Sequence, residues 1–170
     1  MALGSGHSGF LVALALLGSV AQAGNWDGTE LGNGSRIFKS KDGNYRMVIH
    51  SGWKETTIGG DTEIVVPAPD SEAVQTRLKI TVFKATDIKE FADLARRFTN
   101  RVGWSLGTIG RYTSIQREAA VREDRCMFDA RIIKSPGEVT MISVDGGPNC
   151  EEGSDFDRVK VSLSTFTILE

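Results

Sequence analysis

Apolar and polar side chains alternate with a period of two along most of this chain, and that pattern limits its fold more than any other feature. Tyr45, Met47 and Ile49 fall on one face of an extended segment, with Arg46, Val48 and His50 on the other. Leu78, Ile80 and Val82 alternate with Lys79 and Thr81, and Cys126, Phe128, Ala130 and Ile132 do the same further on. Strands are therefore expected at 36–38, 45–50, 62–66, 77–83, 111–117, 125–133 and 139–144, each burying one face. Asp42-Gly43 marks the turn of a first hairpin, and Ser135-Pro136-Gly137-Glu138 reads as a type II turn joining two antiparallel strands. Residues 54–61, which end in Gly59-Gly60, and residues 105–110 read as loops; Pro67, Pro69 and Asp70 stop the strand between.

Only two segments change to helical spacing. Ile88, Phe91, Leu94, Ala95, Phe98 and Val102 recur at steps of three and four, behind Asp87 as N-cap and ahead of Gly103 as the residue past the C-terminus, which predicts a helix over 88–102. Phe156, Val159, Leu163 and Phe166 predict a second helix capped by Ser154 or Asp155, followed by an extended apolar tail over 165–170. The fold class is α+β, a mostly antiparallel sheet with helices packed on its faces.

The N-terminus has the character of an export signal. Residues 10–20, FLVALALLGSV, form an apolar run too short for a permanent membrane span, and Ala21-Gln22-Ala23 supplies a cleavage pattern. The first nine residues contain no Lys or Arg, so the terminal amine and His7 are the sole sources of positive charge there. The expected organisation is a signal peptide at 1–23, a Gly- and Asn-rich lead-in at 24–35 and a single domain at 36–170. Two cysteines, Cys126 and Cys150, fit an oxidising compartment, where they pair as a structural disulfide; no CxxC spacing supports redox or metal chemistry. The location implied is periplasmic or extracellular.

Charge and motifs narrow the function. With 20 basic and 22 acidic residues the formal net charge is -2, which offers no field for nucleic acid. Past the signal, His50 is the one histidine, and no motif gives it a nucleophile or an orienting partner. Neither G-x-S-x-G nor H-E-x-x-H occurs, so no catalytic residue and no cofactor is assigned. Asp145, Asn149, Glu151, Glu152, Asp155 and Asp157 cluster hard oxygen ligands of the kind calcium or manganese accepts, chiefly Asp145, Glu151, Glu152 and Asp155. Acidic residues before a helix are equally expected as caps. Arg96, Arg97 and Arg101 line the polar face of the first helix, either as a partner-binding surface or as an ordinary solvated face.

The order of these elements, together with D-G-x-Y and Gly52-Trp53 at the front and D-F-D-x-V with S-T-F-x-I at the end, resembles the PsbP-like family. That α/β/α sandwich is shared with the Mog family of Ran-binding proteins. The resemblance spans residues 36–169 and rests on Asp42, Gly43, Tyr45, Gly52, Trp53, Phe156 and Phe166. It implies a non-catalytic assembly factor, scaffold or binding partner whose counterpart is another protein. Photosynthetic members work around a manganese–calcium cluster, and no residues here carry that role over. A metal-binding regulatory protein using loop 145–157, and an immunity or inhibitor protein directed at a toxin or hydrolase, are the alternative readings.

Overall fold

The computed structural model describes residues 29–40, 44–58, 61–67, 75–120, 125–147 and 150–169. Expectations at 1–23 and 24–28, at the Asp42-Gly43 turn, and at Gly59-Gly60, Pro69, Asp70 and Asn149 lie outside them. Thirteen elements follow in order: β1 (Thr29–Glu30), β2 (Ser35–Lys39), β3 (Tyr45–His50), β4 (Lys54–Ile58), β5 (Asp61–Val65), β6 (Arg77–Lys84), α1 (Phe91–Phe98), β7 (Trp104–Ile109), β8 (Tyr112–Ala120), β9 (Cys126–Ser135), β10 (Glu138–Asp145), α2 (Asp155–Leu163) and β11 (Thr167–Ile168). The α+β, mostly antiparallel class expected from the alternation is what the chain adopts.

The strands divide into two sheets. A seven-stranded antiparallel sheet runs β4-β5-β6-β10-β9-β8-β7, and the opening hairpin belongs to a separate four-stranded sheet, β1-β2-β3-β11. The lead-in thus already contributes a strand, with Thr29 opposite Ile37 and Glu30 opposite Arg36. The chain's end does likewise, since Thr167 and Ile168 pair with Arg46 and Tyr45.

One core fills the space between the two sheets and α2. Phe38, Tyr45, Met47 and Ile49 meet Leu78, Ile80, Phe128, Ala130, Ile132, Ile142 and Val144, with Phe156, Val159 and Leu163 from the helix. Phe166 is buried there too, but it lies past the end of α2 and not on its apolar stripe, stacking on Tyr45 at 5.4 Å between ring centroids. A second, smaller core lies on the opposite face of the seven-stranded sheet, where Ile88 and Leu94 pack on Ile115 and Val139. The sheet is therefore the middle layer, with α1 outside and α2 plus the small sheet inside. Among the described residues no helix is long and apolar enough to cross a membrane.

Three local expectations are corrected. The first helix is Phe91–Phe98 and not 88–102. The Asp93 carboxylate accepts the N–H groups of Lys89 (3.0 Å) and Glu90 (3.2 Å) and so fixes the start at Glu90, while Asp87 pairs with Arg97 instead of capping. Val102, placed on the apolar stripe by its spacing, is fully exposed, and Gly103 (φ +82) turns the chain into β7 and does not close the helix. Residues 54–58 and 104–109 are strands, not loops. They are the two edges of the large sheet and pair on one side only, so neither needs the buried alternation that betrays a central strand.

Candidate functional site

The outer face of the large sheet is only partly covered. α1 is eight residues long and sits over Ile115, Ile133 and Val139 at one end. Beyond it the strand register places Trp104, Arg117, Asp129, Ser143, Lys79 and Glu63 in one row across six strands. Residues of this row lie opposite the core face, so the same alternation that buries Phe128 and Ala130 aims Asp129 outward.

At the centre of the row, Arg117 donates to Asp129 at 2.7 Å, and the Ser143 hydroxyl donates to the other Asp129 oxygen at 2.8 Å. Arg131, two residues along β9, reaches that carboxylate only at 4.0 Å and spends one N–H on the Ala130 carbonyl at 2.8 Å. Both guanidiniums stand over the Trp104 ring, each 5.2 Å from its centroid, and Trp104 in turn packs on Phe98 of α1 at 4.8 Å. Two arginines thus share one carboxylate. The Arg131 side chain is 13% exposed. Burial holds its pKa below the ordinary arginine range, and the Arg117 charge pushes the same way against Asp129.

Between α1 and this face lies a cleft of about 430 Å³, reached by Lys84, Arg97, Arg101 and Arg131. Its position depends on the β9–β10 turn. Gly137 (φ +84) accepts from the Ala85 N–H at 2.7 Å and donates to the Ile88 carbonyl at 2.9 Å, which fastens the lead into α1 to the sheet.

The residues singled out in the sequence are found in separate places. Cys126 and Cys150 form a disulfide with Cα atoms 5.6 Å apart, joining β9 to the approach to α2. Asp145 pairs with Arg125 at 3.4 Å and Asp155 with Arg158 at 3.7 Å, while Glu151 and Glu152 are exposed. Ser154 caps the helix by accepting the Asp157 N–H on its Oγ, and the Asp157 carboxylate accepts the Gly153 N–H in return. No group of three or more metal-ligating side chains converges among the described residues. Arg96 pairs with Asp93 and Arg97 with Asp87, whereas Arg101 lies over the Phe98 ring at 5.1 Å. His50 is exposed beside a second cleft, about 390 Å³, that also touches Trp53 and Asp155; its Nδ1 accepts the Gly52 N–H at 3.1 Å.

Sequence reasoning missed Trp104, Arg117, Asp129, Arg131 and Ser143. The available signal was Asp129 and Arg131 at spacing two on the outer face of a strand whose other face carries Cys126, Phe128, Ala130 and Ile132. A central strand with charge on one face needs partners from its neighbours.

The architecture defines a class, an antiparallel α+β sandwich, and solved structures share it. LpqN, involved in cell envelope biogenesis of Mycobacterium tuberculosis, is 16% identical with a TM-score of 0.56, covering 80% of this chain and 91% of its own. A crystal structure from Bacteroides thetaiotaomicron is 16% identical with a TM-score of 0.53, covering 79% of this chain; the chain spans 48% of that protein. Cyanobacterial PsbP from Synechocystis is 11% identical over 90% of this chain with a TM-score of 0.48, too loose a likeness to argue from. These similarities concern the fold alone. No family model matches the chain, and no curated protein does.

Proposed function

We propose that the protein is an exported, non-catalytic module of the cell envelope that works by binding another protein. The observation that carries this reading is an exposed apolar pair beside a free sheet edge. Val102 is 99% exposed and Leu106 64%, four residues apart, where α1 gives way to edge strand β7. Covering a side chain of this size is worth roughly 1.5–3 kcal/mol, so two together with unpaired strand groups favour a protein partner. The disulfide fits an oxidising compartment, and the fold likeness to LpqN supports an envelope setting.

The test compares partner capture by the full chain with that by a Val102→Glu/Leu106→Glu double variant, using Val161→Glu on α2, 63% exposed in the wild type, as the control. A stoichiometric partner retained by the control and lost by the double variant is the expected result. Equal capture by all three proteins, or no stoichiometric partner for the wild type, would overturn the reading.

A further inference from the structure

We propose that the cleft between α1 and the outer face of the large sheet binds a small organic anion, a phosphate or carboxylate carried on an apolar chain. Among the described residues four cations line it, Lys84, Arg97, Arg101 and Arg131, against a single carboxylate, Asp87. Arg97 already holds that carboxylate at 3.0 Å. Neither Lys84 nor Arg101 forms an ion pair with another described residue, and Arg131 shares a carboxylate that Arg117 and Ser143 engage more closely. Three positive charges therefore line the cleft without a carboxylate of their own among the described residues.

A solvated arginine face would need no further partner, but Arg131 is not solvated. Its guanidinium is buried against Trp104, and a buried charge that is incompletely paired is costly unless an opposite charge reaches it. A phosphate or carboxylate matches the planar donor fork of Arg131, and Lys84 and Arg101 are on the lining of the same cleft. The remaining wall is apolar, with Phe83, Phe98 and Met141, which a bare inorganic ion would leave uncovered. A volume of about 430 Å³ suits a headgroup with a short chain. This inference does not rest on the protein contact proposed above, because Val102 and Leu106 do not line the cleft.

The test is calorimetric titration of the full chain with decyl phosphate below its micellar concentration, beside inorganic phosphate and decyl maltoside. Saturable binding of decyl phosphate, at least about tenfold tighter than either comparison compound, is expected if charge and chain both contribute. Lys84→Gln/Arg101→Gln, both at exposed positions, should weaken it by about tenfold per cation removed, and Arg158→Gln on α2 should leave it unchanged. Arg131→Met should abolish it, with the surface pair providing the answer where that buried change disturbs folding. Decyl maltoside binding as tightly as decyl phosphate would reduce the effect to apolar adsorption. Inorganic phosphate binding equally well would remove the apolar chain, and a Lys84/Arg101 variant that titrates like the wild type would remove the site. Each of these results overturns the proposal, and none of them bears on partner capture.

Discussion

Asp129→Ala is the sharpest probe of the polar row. The carboxylate is 10% exposed and accepts two short hydrogen bonds, from Arg117 at 2.7 Å and Ser143 at 2.8 Å. Among the described residues its removal leaves the buried Arg131 with no carboxylate partner and Arg117 without its own. Breaking a buried ion pair from one side costs about 3–5 kcal/mol. Arg117 is 37% exposed and can recover water, so the lower end applies, about 3 kcal/mol. Urea denaturation of wild type, Asp129→Ala, Arg117→Ala and the double variant forms a closed cycle, in which the coupling should be about 1.5–3 kcal/mol. Arg117→Ala alone should cost less than Asp129→Ala, because it leaves Asp129 with Ser143 and with Arg131 to relax toward it. A loss below about 1 kcal/mol for Asp129→Ala, or additive single effects, would mean that water already satisfies both arginines and that the row is ordinary surface.

Two further outcomes follow from contacts elsewhere. Replacing both cysteines by Ala should cost about 3.4 kcal/mol, the loop-closure entropy for the separation of 24 residues between Cys126 and Cys150. Near-ultraviolet circular dichroism should stay native, because Cys126 is also held by backbone hydrogen bonds to Gly146 (2.8 Å) and Gly147 (3.2 Å). The hydrogen bond from Lys79, 2.6 Å away, holds the Asp61 carboxyl below its ordinary pKa, although burial opposes it. A depressed carboxyl stabilises the folded state above its unfolded pKa of about 4 and loses that contribution as pH falls through the folded value. Wild type should therefore melt higher than Asp61→Asn at pH 6, and the gap should shrink steadily on acidification below about pH 4; a gap independent of pH would discard the pair.

How much of this was legible depended on where each strand sits. Central strands advertise themselves, since β9 turns Phe128 and Ala130, and β10 turns Ile142 and Val144, into the main core at every second position. Edge strands β4 and β7 do not, because KETTI and WSLGTI answer to a single neighbour. Helix boundaries misled for another reason. Ile88 is buried and correctly spaced, yet it enters the small core from a turn closed by its N–H to the Ala85 carbonyl, so apolar spacing extended the helix by a turn that tertiary contacts had claimed. The acidic loop showed the converse: its charges were conspicuous, but Asp145 and Asp155 answer to nearby arginines and Asp157 to the helix cap. Composition displays charges without showing which of them are already neutralised.

That distinction separates the two charged regions of the molecule. Asp145, Asp155 and Asp157 sit among cations and cap donors that balance them, and such an arrangement is sufficient as structure. The Arg117–Asp129–Arg131 cluster is unbalanced, and stability does not explain it. An apolar replacement of a buried ion pair is often neutral or stabilising, and Ile115, Ile133 and Val139 show that this same sheet face accepts apolar packing under α1. A surplus guanidinium held against Trp104, at the mouth of a cleft already bordered by Lys84 and Arg101, is a standing cost to the fold. An anion arriving from outside would remove that cost, which is why the proposed ligand site is centred on Arg131 and not on the more conspicuous acidic loop.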